Sequence, residues 1–147
     1  MKTELFDGVQ TFLLEAGEAA CYALCLVKVA ETATGKKMNI IESFCLAIDR
    51  GFIYFNKSDS NDNDNFYVKD PAAFLVQMTG LRWSVRKESH NYVITDPNEY
   101  EIERWERTLT GKTLAHFKLP GWDSIQGGAN TVRFGALASK RILRVSI

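Results

Sequence analysis

The chain has 147 residues, 46% of them hydrophobic, and its 18 Lys and Arg balance 18 Asp and Glu to a formal net charge of 0. This length and composition predict one soluble globular domain spanning residues 1–147. A neutral chain is not expected to bind nucleic acid through the phosphates, which usually requires a basic protein. A small basic patch stays open, because residues 131–147 contain Arg133, Lys140, Arg141 and Arg144 without an acid; a solvated strand face is the favoured interpretation.

Location in the cell is predicted from apolar runs and cysteines. The N-terminus has no long apolar run, so no signal peptide is expected. The longest apolar stretch, Ala19 to Ala30, contains Lys28 and is shorter than the ~20 residues that cross a bilayer. Three cysteines cannot form a complete set of disulfides. Reduced thiols in a cytoplasmic protein without membrane contact are therefore expected.

The first half of the chain is predicted to be mainly helical. A short segment, Asp7–Leu14, is broken at Gly17 and is followed by a helix rich in alanine and leucine over Ala19–Glu31. After a turn, Asn39 is placed to cap a second helix, Ile40–Asp49.

A short strand, a polar loop and a third helix follow. The strand is predicted at Gly51–Phe55, and the loop at Ser58–Asn65, which contains only Ser, Asp and Asn. The third helix is predicted at Ala72–Thr79, with Asp70 as its cap and Pro71 at its first position.

Alternating apolar and polar residues predict strands in the second half. The predicted strands are Trp83–Arg86, Tyr92–Thr95, Tyr100–Trp105, Thr113–Lys118, Trp122–Ser124 and Arg141–Val145. Glu99–Arg107 also contains a helix-like i,i+4 ion pair, but a strand is preferred because Thr110-Gly111 then forms a hairpin turn into the next strand. Helices first and an antiparallel sheet afterwards predict an α+β domain.

Cys21 is the first candidate for chemistry. It falls in the first turn of the predicted helix, where the helix dipole and free N–H groups favour a thiolate. The alternative is structural, since free cysteines are often buried as small hydrophobic residues. Cys25 and Cys45 are expected to be residues of that kind.

His116 and Asp123 lie on either side of a predicted turn at Leu119–Gly121. If Phe117 opposes Asp123 across this turn, the carboxylate becomes a diagonal neighbour of His116. A histidine can take a thiol proton, and a carboxylate can fix the histidine's tautomer. Cys21, His116 and Asp123 are thus the predicted catalytic residues; the alternatives are a structural histidine and a turn-capping aspartate.

No metal or other cofactor is predicted. Cys21 and Cys25 have a spacing that could suit zinc, but no second Cys/His pair completes a site. The loop that begins at Asp59 resembles the start of a calcium loop, yet it has Asp64 where Gly is needed and Asp70 where Glu is needed. A solvated loop is the favoured interpretation.

The order of these motifs resembles the papain-like cysteine peptidases, and within them the double-glycine leader peptidases and their small phage- and plasmid-encoded relatives. The likeness rests on Cys21 at a helix start and on the His116-Phe117 strand. It continues through Trp122-Asp123-Ser124, the segment 130–135 and the final segment 139–142. Asp70-Pro71-Ala72-Ala73 and Trp83-Ser84-Val85-Arg86 extend it over nearly the whole chain.

The resemblance implies a papain-like fold in which N-terminal helices pack on a C-terminal antiparallel sheet. It also implies a hydrolase that acts on peptides or proteins, with Cys21 as nucleophile, His116 as proton carrier and Asp123 as its orienting group. Such enzymes carry a Gln about six residues before the cysteine, whereas this chain has Glu15. A carboxylate there would repel an oxyanion. The alternative function is therefore a catalytically inactive domain of the same fold that binds a partner protein, with Trp105 and Trp122 as candidate interface residues.

Overall fold

The computed structural model describes residues 20–56 and 65–146. In chain order the elements of these ranges are α1 (Cys21–Thr34), α2 (Ile40–Asp49), β1 (Ile53–Asn56), β2 (Asn65–Val68), α3 (Pro71–Thr79), β3 (Arg82–Ser89), β4 (Glu99–Leu109), β5 (Lys112–Lys118), α4 (Asn130–Arg133) and β6 (Ala136–Ser146). The predicted segment Asp7–Leu14, Glu15 and positions 58–64 of the polar loop, with Asp59 and Asp64, lie outside the described residues.

The ends of α2 and α3 follow from local chemistry. Asn39 accepts a hydrogen bond from the backbone N–H of Glu42 and caps α2, as the sequence predicts. Asp70 caps α3 by accepting from the N–H of Ala73. Gly80 ends α3 in the left-handed conformation, with φ of 72°, which glycine adopts without a steric penalty. The predicted second and third helices are therefore confirmed.

A four-stranded antiparallel sheet forms the second half, in the order β3-β6-β4-β5. Strand β5 is an edge strand of this sheet, joined to β4 by the predicted turn at Thr110-Gly111. The pairing of β4 with β6 is irregular between Arg104 and Trp105, which indicates a β-bulge. Strands β1 and β2 form a separate antiparallel pair.

The core lies between the helices and one face of the sheet. The apolar face of α1, including Leu26 and Ala30, packs with Phe74 of α3 and with the buried sheet residues Ile102 and Leu143. Complete burial of such side chains stabilises a fold by about 1.5–3 kcal/mol each. The predicted α+β architecture is confirmed. No helix in residues 20–56 or 65–146 is long and apolar enough to cross a membrane.

Two predicted strands are not formed. Tyr92–Thr95 has no strand partner, and side-chain contacts hold it instead: the Tyr92 hydroxyl lies 2.7 Å from Arg86, and the Tyr92 carbonyl accepts from Lys140 at 2.8 Å. Trp122–Ser124 pairs with the preceding chain only at the bridge between Leu119 and Trp122. The predicted register of Phe117 opposite Asp123 is therefore wrong.

Candidate active site

Cys21 is the first residue of α1. The residue before it, Ala20, has no side-chain acceptor, and the first turn of α1 contains no acidic residue. The N–H groups at the start of this helix therefore receive no side-chain cap from Ala20 and no carboxylate from the first turn itself. Their combined dipole favours negative charge on a group at this position. The predicted location of Cys21 in the first helical turn is correct.

His116 lies on edge strand β5, opposite Trp105 of β4, and only 4% of it is exposed. Its Nε2 atom is 2.7 Å from Oδ1 of Asp123. The same Oδ1 also accepts the backbone N–H of Ile125 at 3.0 Å, which fixes the carboxylate in the loop after β5. The expected contact of His116 with Asp123 is present, although the loop makes it without the predicted strand register.

Cys21 contacts the same strand through two neighbouring residues. The backbone N–H of Phe117 donates to Sγ of Cys21 over 3.5 Å, and Cys21 is close enough to the His116 ring to raise its pKa. Because Asp123 occupies Nε2, the nitrogen left for Cys21 is Nδ1. The structure thus brings Cys21, His116 and Asp123 together, with a hydrogen bond between His116 and Asp123.

The pKa of His116 reflects this arrangement. Burial lowers the pKa, but hydrogen bonds and charge interactions with Cys21 and Asp123 outweigh burial and raise it above the ordinary value of 6.5. A proton on His116 is therefore retained to higher pH than on a free imidazole. A ring with a raised pKa is a stronger base, so transfer of the thiol proton to its free nitrogen, which gives a thiolate beside an imidazolium, becomes more favourable.

The other two cysteines differ from Cys21. Cys25 is fully buried, as predicted, and burial followed by repulsion from Cys21 raises the pKa of its thiol well above the ordinary value. Cys45 is exposed, so its predicted burial is wrong. The reason is that α2 directs Phe44 and Ala47 into the core and leaves Cys45 on the opposite side. Within residues 20–56 and 65–146 no group of three potential ligands is placed to hold a metal.

An aromatic and cationic group beside Cys21 was not predicted. The rings of Tyr22 and Phe117 stack with their centroids 4.4 Å apart. The guanidinium carbons of Arg104 and Arg141 lie 5.9 and 5.6 Å from the centre of the Phe117 ring. The positions of Tyr22 next to Cys21 and of Phe117 next to His116 were visible in the sequence, but their contact with the two arginines depends on the sheet register.

A shallow groove runs along α1 beside Trp122. Its volume is about 340 Å³, and its lining includes Leu24, Lys28 and Met38. The Lys28 ammonium lies 5.8 Å from the centre of the Trp122 ring at one side of the groove. Neither Cys21 nor His116 lines it, so this groove is separate from the candidate catalytic residues.

No protein-family model, curated protein or solved structure matches this chain. The function is therefore inferred from the chemistry of the site.

Proposed function

We propose that the protein is a cysteine peptidase or amidase-like hydrolase that uses Cys21, His116 and Asp123. The observation that carries this proposal is that Cys21, the first residue of a helix, lies beside His116, whose Nε2 is 2.7 Å from the Asp123 carboxylate. A buried His–Asp pair has a structural use as well, but a structural pair does not need a thiol beside the ring. The papain-like fold suggested by the sequence belongs to the same proposal.

In the proposed reaction, Cys21 attacks the carbonyl carbon of a peptide or amide bond. Its proton passes to Nδ1 of His116, which then protonates the departing amine as the C–N bond breaks. Asp123 holds Nε2–H and keeps the ring oriented throughout. Water, deprotonated by His116, releases the acyl group from the sulfur as a carboxylic acid and restores the thiol.

The oxyanion formed during attack needs donors. The backbone N–H of Cys21 belongs to the first residue of α1, and N–H groups at the start of a helix can donate to an oxyanion. This N–H serves as one donor in the proposal. Glu15, the residue at the position where the resembling enzymes carry Gln, lies outside the described residues.

The alternative function is binding of a partner protein without catalysis. The observation that favours it is the apolar outer side of α2, where Ile41, Leu46 and Ile48 are all more than a third exposed. Trp105 and Trp122, the interface residues suggested by the sequence, are each only partly exposed. In this alternative Cys21 is an unreactive thiol that packs against β5.

Thiol reactivity separates the two functions. In a Cys45→Ser background, which removes the exposed thiol, alkylation of Cys21 by iodoacetamide is followed by mass spectrometry from about pH 5 to about pH 9. An ordinary thiol, with a pKa of about 8.5, reacts about tenfold more slowly for each pH unit below that value. The hydrolase proposal expects Cys21 to stay reactive at pH 6, and His116→Ala to restore the ordinary dependence.

Hydrolysis itself is tested on a mixture of peptides from a digested protein, analysed by mass spectrometry with the Cys21→Ala variant as control. New cleavage products that require Cys21 support the proposal. If Cys21 follows the pH dependence of an ordinary thiol and His116→Ala does not change it, the catalytic proposal is wrong and the binding function is favoured.

A further inference from the structure

Positive charge is concentrated on the sheet next to Cys21. Lys87, Arg141 and Arg104 lie on the three adjacent strands β3, β6 and β4: Lys87 is directly opposite Arg141, and Arg104 is opposite Ser139, two residues from Arg141. Side chains at such positions share one face of a sheet and lie close together. Like charges at directly opposed positions destabilise a sheet, so this row is costly without an anion.

Several basic residues elsewhere on the sheet have a carboxylate partner. Lys118 lies 3.1 Å from Glu103, Lys140 lies 2.9 Å from Glu101, and Arg144 lies 3.1 Å from Asp96. Each therefore has a carboxylate partner within the sheet or its adjoining loop.

Arg141 has no such carboxylate partner among the described residues. Its guanidinium donates to the Ser139 hydroxyl at 3.0 Å and to the Lys140 carbonyl at 3.5 Å, and no carboxylate of residues 20–56 or 65–146 forms an ion pair with it. Arg104 pairs with Glu106. Burial and the nearby charge of Arg141 both lower the pKa of Arg104, which is consistent with two cations facing one another.

The two arginines lie close to the reacting sulfur. Both flank the ring of Phe117, and the backbone N–H of Phe117 is the group that donates to Cys21 Sγ. Burial raises the pKa of the Tyr22 hydroxyl to about 12, while the charge of Arg141 acts to lower it, so Arg141 is also near the residue that follows Cys21. Arg104 and Arg141 therefore contact or lie near the two residues that border Cys21, namely Tyr22 and Phe117.

We infer that Arg141, with Arg104, forms a carboxylate-binding subsite beside Cys21, so that the preferred substrate carries a carboxylate within about one residue of the attacked carbonyl. Guanidinium groups bind carboxylates through paired, charge-assisted hydrogen bonds. The carboxylate can belong to the C-terminus of a peptide or to an acidic side chain. This inference rests on the proposed function, because it names the substrate class of the same site.

The test uses two alkylating probes that differ in one charge. N-iodoacetylglycine carries a carboxylate one residue from the attacked carbon, and N-iodoacetylglycinamide is its neutral counterpart. In each, Cys21 Sγ attacks the methylene carbon, the C–S bond forms and iodide leaves. Rates are measured in the Cys45→Ser protein and divided by the rates for N-acetylcysteine, which corrects for the intrinsic reactivity of the probes.

We expect Cys21 to prefer the carboxylate probe by about tenfold, the scale of one charge-assisted hydrogen bond. Arg141→Gln should reduce this preference to near unity, while Arg141→Lys should keep part of it. Lys140→Gln, which removes the same charge from the neighbouring residue, is the matched control and should leave the preference unchanged. A preference near unity in the unsubstituted chain, or one that survives Arg141→Gln, overturns the inference.

Two further measurements cover other outcomes. If Arg141→Gln does not fold, the ratio in the unsubstituted chain is measured in 0.5 M NaCl (roughly 4 Å screening length), where a preference due to charge should shrink and its persistence would count against the subsite. N-iodoacetyl-aspartic acid 1-amide separates the sources: faster reaction than N-iodoacetylglycine assigns the subsite to an acidic side chain, and slower reaction assigns it to a C-terminal carboxylate. The neutral probe alone reports the reactivity of Cys21, so a slow neutral reaction with an intact charge preference would count against the hydrolase and not against the subsite.

Discussion

The first and second turns of α1 place the same type of residue in opposite surroundings. Cys21 starts the helix, accepts the N–H of Phe117 and lies beside His116, whose pKa it helps to raise. Cys25, one turn later, is fully buried, and its thiol has a raised pKa because burial disfavours the thiolate. Four residues along one helix thus separate a thiol with a proton acceptor from a thiol that serves only as a core residue. Substitutions at and around the two cysteines test this difference in thiol reactivity and in contribution to stability.

The largest effect is expected for His116→Ala. Acylation of Cys21 by p-nitrophenyl acetate should become slower by about 10²–10⁴-fold, the range typical of a lost general acid–base group. Release of p-nitrophenol, followed spectrophotometrically in the Cys45→Ser background, measures the rate. His90→Ala, the same change at an exposed histidine, is the matched control. An equal rate in both variants would show that His116 does not assist Cys21, which would then resemble Cys25 as a thiol without a general base.

Asp123→Ala should destabilise the fold. The substitution leaves the buried His116 ring and the Ile125 N–H without their acceptor, and an unpaired buried polar group costs about 1–3 kcal/mol. Asp123→Asn should cost less, because an amide oxygen can replace Oδ1, and Oδ2 has no hydrogen-bond partner among the described residues. Denaturant unfolding compares the two; equal losses for Ala and Asn would show that the two hydrogen bonds are not what stabilises this loop.

Cys25→Ala should cost about 1–2 kcal/mol of unfolding free energy, because it opens a small cavity beside Leu26 and Ala30. The alkylation rate of Cys21 should be unchanged. Cys45→Ala is the matched control, and a surface change of this kind should stay within about 0.5 kcal/mol. If Cys25→Ala slows Cys21 strongly, the two turns of α1 are coupled and the contrast between them is weaker than the structure suggests.

The smallest effect is the contribution of His116 to the pH dependence of stability. Because the folded protein holds this proton more tightly than a histidine of pKa 6.5 in the unfolded chain, the stabilisation is complete below that pH and is lost as pH rises through the raised folded pKa. The difference in unfolding free energy between the unsubstituted chain and His116→Gln should shrink over this range, by at most about 1.4 kcal/mol per pH unit. A difference that grows with pH would show that the pKa of His116 is not raised in the folded protein.

The sequence was most informative where structure is local. The caps Asn39 and Asp70 and the turn Thr110-Gly111 depend on residues a few positions apart, and all three are present as expected. Tyr92–Thr95 has the alternation of a strand but no partner strand beside it, and the availability of a partner depends on distant parts of the chain. Sequence patterns describe a strand's faces but not its neighbours.

The candidate site shows the same limit. Cys21 could be placed at a helix start from the sequence, and a contact between His116 and Asp123 could be expected from the turn between them. The actual route differs, because a bridge at Leu119 and Trp122 replaces the expected ladder and the loop carries Asp123 to the ring. The sequence favours Arg141 as part of a solvated strand face. Its contacts with Phe117 and Arg104 could not be predicted, because they depend on the register of three strands.

The pKa of His116 tests the central claim most directly, namely that Cys21, His116 and Asp123 act as one coupled group. It can be followed by NMR of the ring protons, with His90→Gln used to assign the two histidines. The account predicts a pKa above 6.5 in the unsubstituted chain and a lower value in both Cys21→Ala and Asp123→Asn, because each substitution removes an interaction that favours the protonated ring while burial still disfavours it. A pKa at or below 6.5 that does not change in Cys21→Ala would contradict it.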